Sequence, residues 1–277
     1  MTQSPDNVVQ PGSLRGAPDA APSEDAIRAL FADGPILGAH NPYLAVHAQR
    51  IGFLIGKLGP HIRAIAHRKQ APTQVLDVGA GHLTQAMAHY FANDIIVDTL
   101  GLNIDPVVFG DVIRRVITFD LNDAQFQDLW PDPVLHDVVV MAEVLEHLHT
   151  APRLVLDCLG TFLAPGGVFV LQTPNAVELG KRLAMLKGRN PFEPIRETID
   201  NPGHFREYTP VELTQLFSAS GYQVEEMYLS NYWSSSVRAA AKETGSSPGH
   251  LKARILTAVS DWIPSCREGV TVFARKL

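Results

Sequence analysis

From Thr73 onward, short apolar runs alternate with longer amphipathic segments. Runs of this length, rich in Val, Ile and Leu and bounded by turn residues, predict strands at Gln74–Val78, Ile96–Ile104, Val116–Phe119, Val134–Met141 and Val168–Thr173. Asp98 and Gly101 interrupt the second. The segments between them read as crossover helices, notably His82–Tyr90 and Ala151–Leu163, the latter stopped by Pro165-Gly166-Gly167. A helix Ala176–Lys187 follows the fifth strand. Strand and helix in alternation predict an α/β fold built on a mostly parallel sheet. Thr209-Pro210 opens a further helix, Val211–Ser220, which Gly221 closes. Tyr222–Leu229 and Gly269–Ala274 bring the strands to seven, and the helix and insertion between them imply a reversed last strand.

Ahead of the sheet, residues 1–23 are rich in Pro, Gly, Ser, Asp and Ala and carry too little apolar surface to order themselves. Ser23 then caps a helix Glu24–Ala32, ended by Asp33-Gly34-Pro35. Asn41 caps a second, Tyr43–Leu58, expected to stop at Gly59-Pro60, and a third runs over His61–Arg68. The organisation expected is a disordered tail (1–23), an N-terminal helical extension (24–70) and one α/β domain (71–277) with a lid over 175–207.

Composition narrows the class. The chain has 277 residues, 45% apolar and 19% charged, which suits a globular domain with a sizeable core. The net charge of −6 gives no footprint for nucleic acid, which is not expected as a partner. Lys181, Arg182, Lys187 and Arg189 form a local basic patch, read as a solvated helix face. Two cysteines, Cys158 and Cys266, make no disulfide framework; Cys158 falls in an apolar helical pattern and is expected in the core. No signal peptide or spanning segment is apparent, so a cytoplasmic location is expected.

The chemistry begins at Leu76-Asp77-Val78-Gly79-Ala80-Gly81. An apolar strand runs into a glycine turn that opens a helix, which is how α/β proteins build nucleotide-type cofactor sites. The glycines admit close backbone approach, and the helix N-terminus offers unpaired N–H groups. Asp77 would repel a dinucleotide phosphate and welcome an amino group, which favours S-adenosylmethionine over NAD. A dinucleotide site would also want a third glycine near Thr84.

On these residues the chain resembles the class I S-adenosylmethionine-dependent methyltransferases, over about residues 70–277. The resemblance implies a Rossmann-like sheet with helices on both faces. It implies cofactor contacts from Asp77, Gly79, Ala80 and Gly81, with Asp77 near the methionine ammonium. The ribose hydroxyls fall to Asn103 or Asp105 in Gly101-Leu102-Asn103-Ile104-Asp105, where the family usually carries an acid. Adenine contacts fall to Asp120 and Leu121. Read from the residues alone, Asp120 could instead cap the next helix.

A second constellation is Glu143-Val144-Leu145-Glu146-His147. If helical, Glu143, Glu146 and His147 share one face. Three uses are open: a proton relay with His147 as general base, a divalent-metal site, or a helix start with acids at its favourable end and a packed histidine. The same string resembles that of ubiquinone-pathway O-methyltransferases and of small-RNA 2′-O-methyltransferases. The latter resemblance implies a magnesium or manganese site from Glu143, Glu146, His147 and a downstream histidine, here His204. Arg206 and Tyr208 beside it are candidates for orienting a substrate. Arg189, Arg196 and Arg206 are candidates for an anionic acceptor, and Tyr228, Tyr232 and Trp233 read as core or interface. The function expected is methylation of a hydroxyl on a small-molecule, lipid or glycan acceptor; RNA 2′-O-methylation and a non-catalytic S-adenosylmethionine-binding partner are the alternatives.

Overall fold

The computed structural model describes residues 21–31, 42–198, 202–231 and 248–277. The expectations for residues 1–20, for Asn41 and for the aromatics Tyr232 and Trp233 lie outside them. Seven strands form one sheet: β1 (Thr73–Val78), β2 (Ile95–Gly101), β3 (Ile113–Thr118), β4 (His136–Ala142), β5 (Leu163–Pro174), β6 (Tyr222–Ser230) and β7 (Gly269–Lys276). Their order is 3-2-1-4-5-7-6, parallel from β3 to β5, with β7 antiparallel to both its neighbours. The reversed last strand is therefore present. The second predicted strand ends early, because Gly101 leads into a turn in which Asn103 takes a positive φ of +55°.

The helices are α1 (Glu24–Leu30), α2 (Pro42–Lys69), α3 (His82–Phe91), the single turn α4 (Pro106–Phe109), α5 (Pro152–Thr161), α6 (Leu179–Leu186), α7 (Pro210–Ala219) and α8 (Pro248–Trp262). Period-2 alternation in β4 divides the core. Val138 and Val140 pack with α1, α2 and α3, whereas Val139 and Met141 pack with α5 and α7. Cys158 is buried in the second layer, and burial pushes its thiol up to about 12.

One helix corrects the sequence reading. Gly59-Pro60 does not end a helix; α2 runs through Pro60 without a break. An internal proline costs about 3 kcal/mol. Leu44, Ala48, Ile51, Ile55, Leu58, Ile62 and Ile65 follow a continuous 4-3 spacing and are all buried. Each large aliphatic side chain buried there contributes about 1.5–3 kcal/mol, so the shared apolar stripe outweighs the break. A smaller correction concerns α6, expected from Ala176, which starts at Leu179 because Glu178 caps it through the Gly180 and Lys181 N–H groups.

Under the sheet, the fully enclosed Asp98 accepts from Arg114 (2.9 and 2.6 Å) and faces His136 Nε2 at 3.0 Å. Burial pushes the Asp98 carboxyl up, but the bonds from Arg114 and His136 outweigh it and hold it below the ordinary carboxylate range. A depressed folded pKa stabilises above the unfolded value and loses that stability as pH falls through the folded one. Asp98→Ala is therefore expected to cost about 2–3 kcal/mol in urea melts at neutral pH. The gap from wild type should narrow below about pH 4; an equal gap at both pH values would remove the ion network from the account.

Candidate functional site

The C-terminal ends of β1, β2 and β4 open onto one cavity, at the point where strand order reverses about β1. It measures about 800 Å³. Gly79, Gly101, Asn103, Asp120 and Leu121 line one part of it, and Val144, His147, Pro202 and Phe205 another.

The glycine turn is built by its own chain. Gly79 takes φ +83°, a region that costs other residues strain, and its N–H donates to the Leu100 carbonyl at 2.9 Å. Gly81 has an extended backbone, and a Cβ there would meet nothing nearer than the Gly79 carbonyl at 4.0 Å. The protein itself thus leaves that space open. Thr84 joins the turn to the strand: its hydroxyl accepts the Gly81 N–H at 2.8 Å and donates to Asp77 Oδ2 at 2.5 Å. Thr84 occupies the place of the missing third glycine and serves as a clamp. Asp77 is buried behind the turn, and burial raises its carboxyl to about 7 against the pull of the Thr84 bond.

Asn103 lines the cavity, whereas the Asp105 carboxylate accepts the Val107 N–H at 2.9 Å and caps α4. Asp120 does two things: it lines the cavity and accepts the Asn122 N–H at 2.9 Å at the head of a 3-10 turn.

The Glu143–His147 string is not a helix. Glu143 has φ +57°, and only Leu145–His147 closes a 3-10 turn. The shared-face argument therefore fails, yet three of the four candidates still meet. One ligand atom from each of Glu146, His147 and His204 lies within 4.8 Å of the others, and the two imidazoles stand edge to face at 4.8 Å. Glu143 is outside that trio. The main chain makes the meeting: Phe205 and Arg206 N–H donate to the Glu146 carbonyl at 2.8 and 3.3 Å.

Each imidazole is oriented by its Nδ1. That of His147 faces the Gly203 carbonyl at 2.9 Å, which can only accept, so Nδ1 carries the proton and Nε2 is the basic atom. That of His204 faces Glu207 at 3.0 Å, and this bond raises the His204 pKa. Glu207 also pairs with Lys181, and despite its burial its carboxyl is held below the ordinary range by these two partners. Histidines backed by a carbonyl and a carboxylate are the arrangement that metal-ligating histidines use. Glu146 Oε2 accepts from Thr173 at 3.0 Å, while Oε1 of both Glu146 and Glu143 is buried without a partner. Burial raises both acids; mutual repulsion adds to the rise at Glu143, and Arg50 opposes it there.

Arg50 is a residue the sequence reading missed. It is 98% buried on α2 and donates to Gln172 and Tyr43, both at 2.8 Å. Burial, with Arg50 adding to it, depresses His47 and His82 to about 4, so both are neutral at pH 7. His82, the first residue of α3, stacks on Tyr43 at 4.8 Å and has a buried Nε2 without a partner. Arg50 and the unpartnered His82 Nε2 are thus buried next to the glycine turn. The only sequence signal for Arg50 was its place on the buried stripe of α2, where an arginine is out of pattern. Glu207 was signalled by its position three residues after His204.

Other candidates sit elsewhere. Arg206 pairs with Glu212 at 2.7 Å, Arg196 pairs with Glu193, and Tyr208 is buried in the core, which withdraws Tyr208 as a substrate-orienting group. Tyr228 packs edge-on against Phe53 and Phe273, as the core reading expected.

A family model described as a methyltransferase domain matches residues 49–227. A Mycolicibacterium smegmatis protein named as a probable S-adenosylmethionine-dependent methyltransferase is 32% identical over 166 residues, 58% of this chain and 56% of its own length. A Mycobacterium tuberculosis protein of the same description is 28% identical over 123 residues, 44% of this chain and 40% of its own. The chain thus spans about half the length of these relatives. The crystal structure of a candidate sarcosine dimethylglycine methyltransferase from Galdieria sulphuraria covers 91% of this chain and 97% of its own at TM-score 0.51 and 16% identity, a likeness of fold.

The two turn glycines should separate in thermal melts. Gly79→Ala is expected to lose about 1 kcal/mol or more, through the left-handed backbone it must adopt. Gly81→Ala should stay within about 0.5 kcal/mol. Equal losses would mean that folding, and not an open space for a ligand, demands glycine at both positions.

Proposed function

The chain belongs to the methyltransferase-domain family, and on that premise we propose that it transfers a methyl group from S-adenosylmethionine to a hydroxyl of a small-molecule, lipid or glycan acceptor. The convergence of Glu146, His147 and His204, with His147 on the wall of the cavity that Gly79 also lines, carries this reading. S-adenosylmethionine, when bound, supplies an electrophilic methyl group on a sulfonium. The residues present fit it. The space beside Gly81 that a Cβ would enter receives backbone-close atoms. Asn103 and Asp120 line the cavity where ribose and adenine contacts are expected. Asp77 is buried with a raised carboxyl, and a neighbouring ammonium would ionise it.

What the protein adds is position and a proton acceptor. Holding the acceptor oxygen in line with the S–CH₃ bond at about 3 Å is mainly a proximity effect. As the O–CH₃ bond forms, the acceptor O–H bond must break. The proton goes to His147 Nε2, the ring nitrogen opposite the one bonded to the Gly203 carbonyl. The Glu146 carboxyl nearby stabilises the imidazolium that results. RNA is not favoured as the acceptor, given the net charge of −6.

As the alternative to proton transfer onto His147, a magnesium or manganese ion fits the donor set. Glu146, His147 and His204 would hold it, with Glu207 and the Gly203 carbonyl fixing the imidazoles; it would supply Lewis-acid polarisation of the hydroxyl. The buried, unpartnered Glu146 Oε1 is the observation in its favour. Donors on a shared ion lie about 4 Å apart or less, so the trio at 4.8 Å needs only a small contraction.

The test is His147→Ala, assayed by release of S-adenosylhomocysteine with a panel of phenolic, glycan and lipid-linked alcohols. Turnover should fall about 10²–10⁴-fold. The S-adenosylmethionine affinity, read by calorimetry, should stay within about threefold, less than 1 kcal/mol. Turnover near wild type would sink the assignment of His147 as the proton acceptor.

A further inference from the structure

The basic patch at Lys181–Arg189 is not the plain solvated face expected of it. Leu179, Leu183 and Leu186 stand at i, i+4 and i+7 on α6 and share one face. The first two are half-buried, but Leu186 runs out 82% exposed, with Met185 exposed beside it and Phe192 and Ile195 exposed in the segment that follows. Residues 179–192 hold four cations and no acid, in a chain of net charge −6. Lys187 and Arg189 are exposed there.

A second apolar group lies alongside. Arg182 Nη2 donates to the Ser265 carbonyl at 3.0 Å, and Asn175 Nδ2 donates to the carbonyls of Ser265 and Arg267. These bonds tie the start of α6 to the turn that ends α8. Three residues before Ser265, Trp262 is 89% exposed, with Ile263 beside it and Ile255 exposed two helical turns back on the same face. A tryptophan and branched aliphatics in water are a liability unless something covers them.

We infer that this face, formed by α6, the segment after it and the end of α8, seats on the surface of an anionic phospholipid bilayer. Aliphatic and tryptophan side chains flanked by lysine and arginine, without an apolar span, are the chemistry of an interfacial anchor. Among the described residues no helix is long and apolar enough to cross a membrane, so such contact would be peripheral. A second copy is a poor occupant, because a two-fold contact would set like cations against each other. The chain from α6 leads to His204, and Lys181 on α6 pairs with Glu207. The proposed surface is therefore tied, through Glu207, to the segment that carries His204. Lipid contact is independent of methyl transfer and can fail or hold without it.

The experiment is co-sedimentation of the full chain with vesicles of phosphatidylcholine alone or with one quarter phosphatidylglycerol. Wild type should pellet with the anionic vesicles, and the bound fraction should fall as salt rises from about 50 mM to about 500 mM. Leu186→Glu and Trp262→Ala should each weaken partitioning about tenfold or more. Lys187→Glu with Arg189→Glu should erase the preference for anionic over neutral vesicles. All four positions are exposed and outside the proposed catalytic trio, so far-UV circular dichroism should be unchanged. Wild type left in the supernatant with anionic vesicles would overturn the inference, as would variants that pellet like wild type. So would a wild-type dimer in light scattering that Leu186→Glu splits, since a second copy would then be the occupant.

Discussion

The cluster of Glu146, His147 and His204 hangs on the main chain of Glu146. Its carbonyl accepts two successive N–H groups of the 202–208 segment, from Phe205 and Arg206, and so fastens that segment to the loop after β4. The Gly203 carbonyl, next to His204, returns a bond to His147 Nδ1. The clasp is closed behind by Ala176 N–H on the Tyr208 carbonyl and by the bridge between Asn175 and Tyr208. Residues more than 50 positions apart are thereby set as neighbours, and the imidazole planes follow from the backbone. Loosening the clasp would disperse the trio without touching any of its side chains.

Electrostatics give the clasp its purpose. Two carboxyls buried side by side, each with an unpartnered oxygen, are costly in isolation. Arg50, buried on α2, offsets part of that cost from the far side at Glu143, and His147 and His204 offset it from the near side at Glu146. The site is thus held with a deficit of positive charge that a proton or a divalent cation can fill. Asp77 repeats the theme at the other end: a buried acid kept near neutrality until a cation arrives. Buried acids with raised pKa values at the ends of strands are candidate ligand sites.

Much of this was legible in the chain. The strands themselves, the reversed β7 and the glycine turn follow from local patterns: apolar runs of strand length, and a strand–turn–helix with its acid in place. Glu146, His147 and His204 were picked out as a group. The segment that carries the first two is irregular, not helical, and Glu143, in a left-handed backbone, lies beside Glu146 but outside the trio. Asn103 rather than Asp105 lines the cavity because Asp105 is taken up in capping α4. Arg50 and the continuity of α2 through Pro60 were not legible, because both are decided by burial against distant elements that no local window contains. The Gly203 carbonyl was likewise invisible, its role depending on where a long loop returns.

The central claim is that one cavity joins the glycine turn to the Glu146–His147–His204 trio. A crystal structure with S-adenosylhomocysteine and manganese, with anomalous data at the manganese edge, tests it most directly. The account predicts the thioether sulfur between the turn and His147, and an anomalous peak about 2.0–2.3 Å from one atom each of Glu146, His147 and His204. A sulfur facing away from His147, with His204 more than about 6 Å from any peak, would contradict it.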